Sequence, residues 1–155
     1  MCKACVLVLA AAIAAPVLAP RLAAEQANPI SDGIRGQWNG AKRNIQQSAE
    51  LMPDASWDYR PTDGVRSFSE LLSHVAGASY VICAAAKGEK SPYAEDHFEK
   101  NAKGRAAIVQ ATKDAIAYCD AAFTALTDAN AGEQVPNPFG AEGSKMSRTA
   151  ALVLQ

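Results

Sequence analysis

The sequence predicts an all-α protein, a four-helix bundle whose fourth helix is incomplete, on three observations. Apolar residues recur at spacings of three and four in three separate segments, the period of an α-helix and not of a strand. Helix start and stop residues bound those segments. A fourth apolar run, Ala150 to Leu154, follows a serine-containing start and reaches Gln155. No strand alternation and no internal repeat is visible.

The first helix is expected over about 28–52. Asn28 suits an N-cap and Pro29 the first helical position. Ile30, Ile34, Trp38, Ala41, Ile45, Ser48 and Met52 form one stripe, and Pro53 ends it. Residues 53–66 read as a loop with turn signals at Pro53-Asp54 and Pro61-Thr62-Asp63-Gly64. Trp57 and Tyr59 in that loop are expected to cover one end of the core. The second helix, about 68–86, starts at Ser67 and Glu70, whose spacing is that of a capping box. Leu72, Val75, Ser79, Ile82, Cys83 and Ala86 face one way, and Lys87-Gly88 closes the helix. His74 lies between Leu71 and Ala78, on the border of that stripe.

Residues 87–102 form a polar connection longer than the roughly 2–8 residues usual between bundle helices, so it has the length of a crossover. It holds His97 among Glu95, Asp96 and Glu99. An acidic mobile loop with an incidental histidine is preferred there over a metal site. The third helix, about 103–126, carries Val109, Thr112, Ile116, Cys119, Phe123 and Leu126, the most regular spacing in the chain. Residues 127–143 read as a loop containing Pro136 and Pro138. Ser144 or Ser147 then starts a last helix at about 146.

The N-terminus has a different character. Lys3 precedes an unbroken apolar run from Cys5 to Ala15, followed by Pro16 and small residues, the layout of a secretory signal peptide. Cleavage is expected near Ala24, leaving 25–155 as the domain and a secreted or periplasmic location. The run is shorter than the roughly 17 apolar residues a membrane span needs, so no stable span is expected. Lys3 and Arg21 are two of the 15 basic residues, so beyond residue 24 the 16 acidic residues exceed the basic ones by three. No basic footprint for nucleic acid exists. Cys2 and Cys5 form a C-x-x-C inside the signal segment and are expected to leave with it. Cys83 and Cys119 remain, in a compartment that permits oxidation.

No Ser-His-Asp set, Gly-rich phosphate loop or facing pair of carboxylates is identifiable. His74 is the one candidate site residue on a helix. A single histidine cannot hold a catalytic zinc, which takes about three protein ligands.

In order and spacing, several segments resemble the DinB-like superfamily: Asn28-Pro29, Trp38-Asn39, Tyr59-Arg60-Pro61-Thr62, Val65-Arg66-Ser67-Phe68 and Leu71-Leu72-Ser73-His74-Val75-Ala76. Ala117-Tyr118-Cys119-Asp120 and Thr127-Asp128-Ala129-Asn130 are similar to secreted members. The resemblance covers about residues 28–155. It implies an up-down-down-up bundle with helices 2 and 3 parallel, which accounts for a long crossover. It also implies a divalent metal of the Zn, Ni or Fe class held by three histidines. His74 matches the first. The other two are an H-x-x-x-H pair on helix 4, which would fall just past Gln155, so the chain reads as truncated and is expected to bind no metal as it stands. Relatives include thiol-dependent S-transferases and a thiol-dependent maleylpyruvate isomerase.

Two readings follow. One is a secreted metal-dependent enzyme of transferase or hydrolase type, with an unidentified small-molecule substrate. The other is a non-catalytic binding or stress-related bundle without metal. Self-association as a homodimer is left open. If helices 2 and 3 are parallel, as the resemblance implies, Cys83 and Cys119 stand at equal heights and a disulfide between them becomes feasible. Two separate buried thiols are the alternative.

Overall fold

The computed structural model describes residues 27–155. The expected signal segment and cleavage point near Ala24 lie outside the described residues. The elements are α1 (Pro29–Leu51), α2 (Asp54–Trp57), α3 (Phe68–Lys87), α4 (His97–Asn101), α5 (Arg105–Thr124), β1 (Gln134–Pro136), β2 (Lys145–Ser147) and α6 (Arg148–Val153).

Side-chain pairings give the topology. Leu72 packs with Ile108 at one end of the α3–α5 pair, and Cys83 meets Cys119 further along. Both pairs have the same offset in sequence, so α3 and α5 run parallel. Trp38 of α1 meets Asp120, while Arg105 reaches Ala49. Numbers rise on one helix as they fall on the other, so α1 is antiparallel to α5. Arg148 donates to the Ala86 carbonyl and Gln155 to Ser79, which makes α6 antiparallel to α3. The order is up-down-down-up, with α6 as a short last member.

α3 is the centre of the molecule. It is long and apolar enough to cross a membrane, but 61% of that stretch is buried against the rest of the fold, as befits a core helix. Its start is the capping box read from sequence: Glu70 N–H donates to Ser67 Oγ, and Ser67 N–H to the Glu70 carboxylate. Gly88, at φ 74°, ends it in the left-handed conformation that glycine adopts most cheaply. α1 contributes Trp38, which stacks on Phe123 at 4.7 Å and donates its indole N–H to Asp120.

α1 is tied down mainly at its ends. Asn28 does not cap it with its side chain, contrary to the sequence reading. Pro29 has no N–H, and Asp32 N–H is taken by the Asn28 carbonyl. The two remaining first-turn donors, Ile30 and Ser31, both donate to the Asp128 carboxylate from the loop after α5. Asn28 Oδ1 accepts from Asp128 N–H in return, a capping box made across about 100 residues. That contact turns Ser31 inward and leaves Ile30 exposed, so the buried stripe starts one residue later than expected. At the other end Arg105 donates to the carbonyls of Ala49, Glu50 and Met52 and stacks on Trp57.

Four further expectations are corrected. The loop after Pro53 contains one helical turn, α2, which buries Trp57, while Tyr59 is exposed. In α5 the buried residue of the first turn is Ile108, and Val109 is only half-buried. The 127–143 segment, read as a loop, contains β1, which pairs with β2 just beyond it in an antiparallel ribbon. Its strands are three residues each, too short to alternate visibly, and β1 turns only Val135 into the core. The ribbon delivers Ser147 as the cap of α6, accepting from Ala150 N–H. The 87–102 connection contains α4 and is docked, as described below.

Hydrogen bonds from the side chain and backbone of Ser31 hold the Asp128 carboxyl below its ordinary value. A depressed carboxyl stabilises the fold above its unfolded value, 3.8, and loses that contribution as pH falls from there through the folded value. Acid denaturation followed by far-UV circular dichroism is expected to show it: Asp128→Asn lowers stability at pH 7 and makes the loss on acidification shallower than in the wild type. An unchanged acid limb would contradict this.

Candidate functional site

The second turn of α3 presents His74, whose side chain is 27% exposed. Its ring does not face α6. At about 100° per residue it stands on nearly the opposite side of α3 from Cys83, whereas α6 lies over Ser79 and Ala86. His74 instead faces the crossover. Nδ1 is 3.0 Å from Glu99 Oε1, and Nε2 is 3.6 Å from Glu95 Oε1. Glu99 is also gripped by Arg66, Nε to Oε2 at 3.0 Å and Nη2 to Oε1 at 3.3 Å.

Burial pushes the Glu99 carboxyl up, but hydrogen bonds from Arg66 and His74 outweigh it and leave the group below its ordinary value. An ionised carboxylate only accepts, so Nδ1 carries a proton. In the neutral ring the lone pair therefore sits on Nε2, the nitrogen turned towards Glu95.

The crossover is held on α3 by shape. A Cβ on Gly77 would lie 1.8 Å from the Glu95 carbonyl oxygen, so the backbone passes where only glycine leaves room. Tyr80 packs between Tyr93, Phe98 and Tyr118, with ring centroids 4.9 to 5.7 Å apart. His97 packs at a tilt against Tyr93 and accepts at its carbonyl from Asn101, so it joins the aromatic anchor and not His74. A polar cavity of about 180 Å³ abuts Glu99, lined by Asp58, Ser69, Ser73 and Lys103 among others. Among the described residues no three His, Cys, Asp or Glu side chains converge to hold a metal ion.

Cys83 and Cys119, both fully buried, are joined in the structure with Cα atoms 5.3 Å apart. They lie away from His74 and take no part in its surroundings. Sequence reasoning did not single out Glu95, Glu99, Arg66 or Gly77 as partners of His74. The one available signal was the spacing of four between Glu95 and Glu99, which on a continuous helix would put two carboxylates on one side, although α4 itself starts only at His97.

Comparison with known proteins fits this architecture. Residues 37–155 match the profile of the DinB superfamily. The chain belongs to that superfamily. Comparison with curated proteins gives no sequence match. Among solved structures the chain is similar to a mycothiol-dependent maleylpyruvate isomerase, at a TM-score of 0.62 and 16% identity. A mutant of a mycothiol-dependent maleylpyruvate isomerase is similar at 0.61 and the same identity. In both cases the likeness covers 80% of this chain and 55% of the other, so this DinB chain spans about half of those proteins. At this identity the likeness is one of fold.

Gly77→Ala is expected to lift the crossover off α3. Hydrogen exchange across residues 89–101 should rise well above that of the wild type, with α5 protection retained. Unchanged exchange in that segment would show that the close approach does not hold it.

Proposed function

We propose that this chain is a secreted DinB-domain protein in which His74 is a ligand of a divalent metal, serving an enzyme of transferase or hydrolase type. Membership of the superfamily supports a metal-binding reading, and one observation in the structure carries it to His74. Glu99 sits behind Nδ1 at 3.0 Å, the second-sphere carboxylate that fixes the tautomer and orientation of metal-bound histidines, with Nε2 left as the donor. The fit is partial, because the described residues supply one imidazole and carboxylates and no third convergent ligand.

A divalent cation bound there would act as a Lewis acid, polarising a substrate or lowering the pKa of a thiol or water. The chain's own residues do the rest. Arg66 neutralises Glu99, Glu99 orients the ring, and the small polar cavity beside Glu99 gives a modest ligand a place to sit. A secreted location, with cleavage near Ala24, belongs to the same proposal, as does oxidation of Cys83 and Cys119.

A second reading, a bundle without metal, draws on the orientation of His74. The ring faces the crossover and stands well round α3 from α6, the helix on which the family resemblance places further histidines. There the imidazole would act as an ionic clamp between α3 and α4.

Elemental analysis of the natural gene product separates the two. His74→Ala is expected to reduce bound divalent metal from near one ion per chain to a trace. Stoichiometric metal in that variant, or none in the wild type, would remove the metal reading.

The cysteine proposal has its own test. Protein recovered from an oxidising compartment should take up no thiol alkylating agent until it is reduced. Replacing both cysteines by serine should cost about 2–4 kcal/mol of stability, measured by denaturant unfolding. Ready alkylation of native, unreduced protein at both sites after unfolding would contradict the pairing.

A further inference from the structure

We propose that the outer face of α1 is a homodimer interface, on which the α1 helices of two copies lie antiparallel and meet at their glycines. The partner is a second copy of this chain, and the inference is independent of any metal at His74.

α1 carries three glycines that its own fold does not call for. None of Gly33, Gly36 and Gly40 has a positive φ. A Cβ at any of the three would meet no atom within 4 Å. Glycine inside a helix is less stable than alanine, so α1 is weakened three times with nothing inside the described chain to explain it. At about 100° per residue the three share one face with Asn44, Gln47 and Leu51. All six are uncharged, and Leu51 is 80% exposed. Trp38 and Ala49, the buried residues that turn α1 to the core, stand on the far side of the helix. Small residues at a helix crossing let two backbones approach closely.

The charges beside this face select the occupant. Asp32 and Arg43 stand about 20° apart round the helix, so both lie on one flank of the glycines. A two-fold axis between antiparallel helices sets each flank against the same flank of the partner. With the axis midway between Asp32 and Arg43, each Asp32 comes level with the partner's Arg43. That midpoint falls between Gly36 and Gly40, where the backbones can come closest. Two ion pairs related by symmetry would then flank the crossing. Both groups are available for them. Arg43 makes no hydrogen bond or ion pair with any described residue. The Asp32 side chain is 65% exposed, although Arg35 holds one of its oxygens.

Analytical ultracentrifugation of the purified protein at high micromolar concentration tests this, since one helix from each copy makes an interface at the weak end of the range. The wild type is expected to sediment as a dimer that dissociates on dilution. Gly36→Ala combined with Gly40→Ala should weaken the dimer by about tenfold or more, because the backbones are held apart. The same double variant should melt higher than wild type when both are dilute enough to be monomeric, since alanine favours the helix and meets no neighbour. Arg43→Asp and Asp32→Lys should each weaken the dimer by setting like charges level across the axis. An equimolar mixture of these two variants should dimerise again, because both symmetry-related pairs then join opposite charges. Circular dichroism reports whether each variant is folded.

A wild type that stays monomeric throughout overturns the inference. So does a dimer that the glycine and charge variants leave unchanged, since its interface would lie on another face. A mixture that associates no better than its separate components overturns the antiparallel arrangement on which the inference rests.

Discussion

The parallel packing of α3 on α5 is the constraint from which the rest of the molecule follows. Antiparallel neighbours can be joined by a short turn. Parallel ones cannot, because the chain leaves the far end of the first helix and must return to the near end of the second. α3 has 20 residues, so the return is about 30 Å at 1.5 Å per residue. The segment between Lys87 and Arg105 makes that journey across the outer face of α3. It is anchored midway by the aromatic group around Tyr80 and by the close approach at Gly77. The surroundings of His74 are a by-product of this route, since the returning chain lays Glu95 and Glu99 over the start of α3.

The same topology explains where the polar groups go. α1 buries few residues, chiefly Ser31, Trp38 and Ala49. It is held by charge at its two ends, where its unpaired backbone groups are. Asp128 takes donors of the first turn and Arg105 serves carbonyls of the last. Both partners come from the ends of α5, which puts an anion at the positive end of α1 and a cation at its negative end. α6 is joined to α3 in a related way, through Arg148 on the Ala86 carbonyl. Helix α3, by contrast, is capped within its own sequence and closed by its own glycine.

That difference sets what the sequence could disclose. Local devices were legible: Ser67 with Glu70, Gly88, and the apolar stripe from Leu72 to Ala86 are read from neighbours three and four residues apart. The all-α class and the DinB resemblance follow from such features taken together. Devices that join distant segments were not legible. Asn28 looks like an N-cap for α1, but its side chain is used by Asp128, and only the folded chain brings the two together. β1 and β2 are three-residue strands fixed by each other and by Val135, with too little pattern to register as strands. His74 was singled out, yet its partners were not, because Arg66 lies just before the cap Ser67 and Glu95 and Glu99 lie on a polar connection, and neither segment carries an apolar period. His97 shows the converse: a histidine among acids in sequence, placed in space against Tyr93.

The register of α3 and α5 can be measured directly by pulsed electron–electron spin distance measurements on spin-labelled pairs of outward positions. Leu71 with Ala107, and Val81 with Ala117, share the sequence offset of Cys83 and Cys119, whereas Leu71 with Ala117 does not. A parallel pair in this register predicts similar distances for the first two and a distance longer by several ångströms or more for the third, since ten residues of helix rise about 15 Å. A third distance equal to or shorter than the other two would contradict the parallel pairing, and with it the route of the crossover and the placement of Glu95 and Glu99 over His74.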